Sequence, residues 1–184
     1  MAIDPTLKTE RLLLRQWCQD DHSPFAAMNA DPEVMAHFPS TLDRSSSDAL
    51  AEKFAAELTQ HGWGLWALER QDTHEFVGFT GLNAFTGLPI ADGIEIGWRL
   101  TRSAWGLGFA SEAANRVLRF AFTELMLAEL VSFTATSNFR SIAVMRRIGM
   151  QDSGTTFLHP RVPADSPLRE HVLYRMDKID WQRS

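Results

Sequence analysis

Between residues 94 and 125 the apolar pattern changes its period, and the change falls across one turn that carries two glycines. The run Ile94-Glu95-Ile96-Gly97-Trp98-Arg99-Leu100 alternates strictly, with Glu95, Gly97 and Arg99 on one side, as a half-buried strand requires. After Gly108 the spacing becomes three and four: Ala110, Ala113, Ala114, Val117, Leu118, Ala121, Phe122 and Leu125 draw one face of a helix. Residues 129 to 136 then read as a second strand. A crossover of that length normally returns right-handedly to the same sheet, so the two strands should lie parallel. Gly106 and Gly108 let the backbone approach a ligand, and the first N–H groups of the following helix have no partner within it. Phosphate is the natural guest of such a turn, although two glycines also serve plain turn chemistry.

Upstream, residues 10 to 17 read as a first strand, and Asp20-Asp21-His22-Ser23-Pro24 supplies capping side chains for a short helix ending before Asp31-Pro32. Ser45-Ser46-Ser47-Asp48 has the form of a second helix start, with Leu50, Phe54 and Leu58 behind it at helical spacing and a stop near His61-Gly62. Runs over 64–70, 76–85 and 93–100, parted by Gln71-Asp72-Thr73-His74 and Thr86-Gly87-Leu88-Pro89, predict an antiparallel meander. A last helix over 139 to 148 ends at Gly149, and residues 155 to 158 and 171 to 178 can close the sheet.

The 184 residues suit one domain over 1–184. A net charge of -5, from 18 basic and 23 acidic residues, lacks the excess of cations that a nucleic-acid binder needs. Met1-Ala2-Ile3-Asp4-Pro5-Thr6 shows no leader pattern and no run of about 20 apolar residues occurs, so no membrane partner and a cytoplasmic location are expected. Cys18 has no partner for an internal disulfide, and the six histidines show no metal-ligand spacing with it, so no metal is expected. A P-loop needs lysine then serine or threonine after its last glycine, and that pair is missing. A dinucleotide fingerprint fits poorly, because Ser111 takes the place of its third glycine and the next strand ends Thr134-Ala135-Thr136 without an acid.

The segment Trp105-Gly106-Leu107-Gly108-Phe109-Ala110-Ser111-Glu112-Ala113 resembles the acetyl-coenzyme A turn of the GNAT N-acyltransferases, in the form used by their Rim-type branch. That branch includes acetyltransferases of ribosomal-protein N-termini. The family pattern Gln/Arg-x-x-Gly-x-Gly/Ala is met by Gly108 and Ala110, with Trp105 where Gln or Arg is usual. Thr9-Glu10-Arg11-Leu12-Leu13-Leu14-Arg15, Phe79-Thr80-Gly81-Leu82, Glu95-Ile96-Gly97-Trp98, Asn138-Phe139-Arg140-Ser141-Ile142 and Ile148-Gly149-Met150 extend the similarity over residues 7 to 177. The resemblance implies an α+β fold: a mostly antiparallel mixed sheet with one parallel, splayed strand pair, flanked by helices. It implies transfer of an acetyl group from acetyl-CoA to a primary amine, on a small molecule or a peptide N-terminus, by direct attack in a ternary complex. A non-catalytic acyl-CoA-binding or sensing domain is the alternative, and both monomer and homodimer remain open.

The same resemblance implies that the pyrophosphate rests on Trp105, Gly106, Leu107, Gly108, Phe109 and Ala110, while the pantetheine arm enters between the splayed strands. Backbone groups near Trp98, Arg99 and Leu100 would bond the arm and polarise its carbonyl, with Asn138 orienting the arm or a water. Glu95 is the implied general base, acting through water; the competing reading makes it a solvated residue on a half-buried strand. Many relatives protonate the departing thiolate from a tyrosine in the final helix, but Met145 stands there and Tyr174 lies in a strand. Ser141 is the implied substitute, against helix-capping roles for both Ser141 and Asn138. At pH 7 an α-amine of pKa about 8 costs about 1.4 kcal/mol to deprotonate and a lysine about 4.6, so a modest base suits a weakly basic acceptor. Phe38, Trp63, Trp66, Phe79 and Phe85 are candidates for an acceptor pocket or for core, and His159 for a substrate contact or for fixing its loop.

Overall fold

The computed structural model describes residues 6–183. The absence of a leader pattern was read from Met1 to Pro5, which lie outside the described residues, as does Ser184 at the end of the 1–184 span. The elements run β1 (Leu7–Lys8), β2 (Leu12–Arg15), α1 (His22–Ala30), α2 (Arg44–His61), β3 (Leu65–Arg70), β4 (Phe76–Phe85), β5 (Gly93–Leu100), α3 (Phe109–Thr123), β6 (Glu129–Ala135), α4 (Phe139–Arg147), β7 (Gln151–Leu158), β8 (Glu170–Asp177) and α5 (Lys178–Arg183). The strands form one sheet in the order β1-β2-β3-β4-β5-β6-β8-β7. Every neighbouring pair is antiparallel except β5 with β6. This is the expected α+β arrangement, with the parallel pair where the glycine turn and α3 provide the crossover.

Several boundaries differ from the sequence reading, each for a local reason. The strand expected over 10–17 is a tight hairpin: Leu7 pairs with Leu14, and the Thr9 hydroxyl accepts from the Leu12 N–H at 2.9 Å to turn the chain. The second helix is capped by Asp43, whose carboxylate accepts from Ser46 N–H at 2.7 Å, and not by the serine run. Ser47 is instead buried, and its hydroxyl accepts from the Asn29 amide at 2.9 Å. Gly62, in the left-handed conformation at φ 72°, ends that helix at the expected place. β7 begins four residues earlier than expected, at Gln151, and α5 follows the last strand unannounced by any periodicity.

The two faces of the sheet are covered differently. Trp66 and Ala67 are successive residues of β3 and so point to opposite faces. Trp66 meets Phe120 of α3 edge-on at 5.6 Å between ring centroids, in a core shared with Ala113, Val117, Leu118, Ile96 and Leu130. Phe79, opposite Ala67 in the register, meets Phe25 of α1 and Phe54 of α2 at 6.0 and 5.4 Å. Burying each such ring contributes about 1.5–3 kcal/mol, enough to hold both helical layers on the sheet. Trp66, Phe79 and Phe85 are thus core residues, while Phe38 stays 39% exposed beside the site described next.

Candidate active site

The glycine turn is built to leave donors free. Gly106 and Gly108 take φ values of 78° and 82°, and Gly108 is the N-cap of α3 with no side chain capping the helix. The first bond back to the turn runs from Glu112 N–H to Gly108 C=O at 3.1 Å, so the N–H groups of Phe109, Ala110 and Ser111 precede the helical ladder. These donors and the positive end of the helix dipole together favour an anion. No heavy atom lies within 4 Å of where a Cβ on Gly106 would stand, so the approach is open. Trp105 closes the turn from the other side: its indole N–H donates to the Leu100 carbonyl at 3.0 Å, and the Arg102 and Arg140 guanidinium groups stack on its ring at 4.8 and 4.2 Å. The residue standing where Gln or Arg is usual therefore gathers two cations at the turn.

The turn is braced by residues far away in the chain. Arg11 Nη1 donates to the Leu107 carbonyl at 2.9 Å, and its Nε donates to the Glu112 carboxylate at 2.7 Å. Glu112 also accepts from the Arg11 backbone N–H at 2.9 Å and from the Thr9 hydroxyl at 2.6 Å. Burial works against the Glu112 charge, but the bonds from Thr9 and Arg11 outweigh it and hold its pKa below the usual value. Such a group stabilises the fold above its unfolded pKa, about 4.3, and that contribution fades as pH falls through the lower folded value. Glu112→Gln is expected to cost about 1–2 kcal/mol at pH 7, discounted because the Arg11 partner is partly exposed. Thermal melts should show the difference closing below pH 4, and acetyl-CoA affinity should fall several-fold as the Leu107 carbonyl loses its tether. An unchanged melting point at pH 7 counts against the brace.

The parallel strands touch at one place. β5 and β6 are bridged only by Glu95 opposite Val131, while the other edge of β5 pairs with β4 along its whole length and that of β6 with β8. Beyond that bridge, 96–100 and 132–135 present backbone groups to each other without pairing, a slot in which a further extended chain can be bonded. On the slot side of β5 the Leu100 carbonyl is already engaged by Trp105, while the Gly97 carbonyl turns to β4 and accepts the Thr80 hydroxyl at 2.9 Å.

Glu95 sits at the bridge itself, on the face of β5 that also carries Gly97 and Arg99. It is half-buried, and that burial pushes its pKa up to about 8, opposed by the amide of Asn83, its partner across the β4–β5 register. A Cβ on Gly97 would meet only Glu95 Oε1, at 3.9 Å, so the space beside the carboxylate is clear. At the far end of the slot, Asn138 is the N-cap of α4, with its side-chain oxygen accepting from Ser141 N–H at 3.2 Å and its NH2 donating to Thr134 Oγ1 at 2.9 Å. The Ser141 hydroxyl has no hydrogen-bond partner among the described residues. Met145 is buried core, and the Tyr174 hydroxyl, buried on β8, accepts from Arg146 Nε at 3.1 Å. His159 fixes its own loop, accepting the Arg161 N–H at 3.3 Å and lying 4.9 Å from the His171 ring.

A glycine turn with free helix N-terminal donors, opening onto a parallel pair bridged once beside a carboxylate, suits an anionic ligand with an extended arm, the kind of cosubstrate that the resemblance to acyltransferases implies. The family model described as an acetyltransferase (GNAT) domain matches residues 11–151, and the chain belongs to that family. A Bacillus subtilis protein named uncharacterized N-acetyltransferase YoaA is 31% identical over 82% of this chain and 85% of its own. The Aspergillus fumigatus FsC-acetyl coenzyme A-N(2)-transacetylase is 30% identical over 97% of this chain and 79% of its own. The crystal structure of an acetyltransferase from Agrobacterium tumefaciens superimposes with a TM-score of 0.75 at 31% identity, over 96% of this chain and 95% of that one.

Proposed function

We propose that the protein transfers an acetyl group from acetyl-CoA to a primary amine by direct attack in a ternary complex, as a single domain of the Rim-type branch working in the cytoplasm. The observation that carries this reading is the coincidence of three features on one strand and turn: uncapped donors at 109–111, an unpaired slot past the Glu95–Val131 bridge, and a half-buried carboxylate of raised pKa at that bridge. The turn from Trp105 to Ala110 would take the pyrophosphate, and the backbone of Trp98 to Leu100 would face the pantetheine arm. Acetyl-CoA supplies the thioester when bound. Glu95, with its pKa near 8, is matched to an α-amine of similar pKa, so a proton moves from the ammonium toward Glu95 at little cost in free energy and leaves a neutral nucleophile. Ser141, the free hydroxyl at the start of α4, is the proton donor for the departing thiolate; Asn138 holds that helix end in place through its cap. Cys18, exposed beside α1, takes no part.

The test is thermal stability with acetyl-CoA, coenzyme A, NAD and ATP, each near 100 times a micromolar-range dissociation constant, followed by thiol release with candidate amines. A native-state ligand at that excess adds about 2.7 kcal/mol, which raises the midpoint by about 5–11 °C for a chain of this size. Shifts with the two coenzyme A forms alone, and thiol release that depends on added amine, are expected. An equal shift with NAD, or none with coenzyme A, overturns the reading.

A further inference from the structure

Arg99 is a cation without a counter-ion among the described residues. Its Nη1 donates to the Asn29 side-chain oxygen of α1 at 2.7 Å, and its guanidinium lies 4.1 Å from the Phe38 ring and 5.3 Å from the Phe79 ring. Its Nε is buried and has no hydrogen-bond partner, and no carboxylate among the described residues pairs with it. Burial alone pushes its pKa down to about 10. Other arginines packed on the sheet are neutralised: Arg15 by Asp21 and Glu69, Arg11 by Glu112. A half-buried guanidinium left unpaired carries a desolvation cost that a bound anion would offset.

Its position says which anion. Glu95, Gly97 and Arg99 share one face of β5, so the candidate base and the unpaired guanidinium stand at the two ends of a stretch whose middle residue has no side chain. Four residues of strand separate the two Cα atoms by about 13 Å, a span on the scale of a small molecule. Phe38, which covers Arg99, belongs to the connection between α1 and α2, and its neighbour His37 reaches Ser137 at the splayed end of β6, with 3.5 Å between Nδ1 and Oγ. The guanidinium therefore lies beside the open slot, on the opposite side of the sheet from α3 and its phosphate-accepting end.

We propose that Arg99 binds a carboxylate carried by the amine acceptor, so that the acceptors are amino acids or short peptides with a free carboxylate and not polyamines. The inference rests on the acetyl-transfer reading of the same site. A planar guanidinium meets a carboxylate with two parallel bonds, and Asn29, Phe38 and Phe79 hold the plane in place.

The experiment measures thiol release from acetyl-CoA with paired acceptors: L-leucine, L-phenylalanine, L-serine and glycylglycine, each beside its carboxamide, with spermidine as a cation lacking any carboxylate. Amidation lowers the pKa of the amine and leaves more of it neutral at pH 7, so a preference for the free acid reports binding and not reactivity. The wild-type protein is expected to favour the acids in kcat/KM by at least about tenfold, the loss expected when one charge-assisted pair is absent. Arg99→Gln should abolish the preference, mainly through KM, leaving the ratio at or below one because the carboxamides hold more neutral amine, with Arg99→Lys between the two. The acetyl-CoA thermal shift of each variant verifies that the fold and the turn survive. Carboxamides or spermidine used as well as the acids, or a preference that survives Arg99→Gln, overturns the role of Arg99 and leaves acetyl transfer standing. No transfer to any acceptor, despite an acetyl-CoA shift, overturns both.

Discussion

Glu95→Gln is expected to lower kcat for amine acetylation by about 10²-fold or more, to leave acetyl-CoA affinity within twofold, and to raise the melting temperature at pH 8. The activity loss follows from removing the carboxylate at the Glu95–Val131 bridge, and a general base typically contributes 10² to 10⁴ in rate. The pH dependence carries the assignment. In the wild-type protein kcat/KM should rise through about pH 8 as Glu95 ionises, with the acceptor's own deprotonation adding to the slope. The variant should keep only the slope of the acceptor.

The stability effect has the opposite sign. A carboxyl group whose folded pKa is raised holds its proton in the folded state while the unfolded chain has lost it, so stability falls as pH rises from about 4.3 to about 8. Each tenfold bias in that equilibrium is about 1.4 kcal/mol, so even a small part of the bias is worth about 3–6 °C in a domain of this size. A neutral glutamine in its place avoids that cost at pH 8 and gains nothing at pH 4. A variant equally stable at both pH values and fully active would show that Glu95 is a bystander. A variant that is inactive yet more stable is the expected mark of strain kept for function.

Gly108→Val is expected to weaken acetyl-CoA binding by about 100-fold, and Gly108→Ala by about tenfold, because a side chain at the N-cap of α3 would press on Arg11 Nη2, 3.4 Å from its Cβ, and disturb the turn whose backbone is proposed to approach phosphate. Both substitutions also carry backbone strain, since Gly108 has φ 82°. Gly62 provides the control: it caps α2 at φ 72° with nothing within 4 Å, so Gly62→Ala bears the same strain away from the turn. Calorimetric titration should find the affinity of Gly62→Ala unchanged, while both proteins lose stability to the shared backbone strain and Gly108→Ala somewhat more through its contact with Arg11. Equal affinities for Gly108→Ala and Gly62→Ala would remove the turn from the binding site.

The parts of the site that were legible in the sequence are those made by neighbours in the chain. The alternation through Ile94 to Leu100, the glycines at 106 and 108 and the helical face from Ala110 to Leu125 are local patterns, and strand, turn and helix follow them. The end of α2 at Gly62 was likewise written in its residue type, whereas its start was misread because Asp43 and the serines are all good caps and only the helix register chooses among them. Residue types in order also carried the family resemblance, since the same turn and strand recur at fixed separations.

What only the tertiary structure decided depends on strand pairing and on packing across the chain. That Glu95 is half-buried and opposes Asn83 and Val131 follows from register, which a one-residue slip would reverse. Arg11 reaches Glu112 across 101 positions, and Arg99 reaches Asn29 across 70. The sequence shows Thr9, Arg11 and Glu112 only as separate polar residues, because no periodicity relates groups so far apart. Residue order alone determined the glycine turn and the strand that leads into it. Packing decided the protonation of Glu95, the bracing of the turn and the unpaired charge of Arg99, because desolvation and long-range hydrogen bonds exist only once the elements have met.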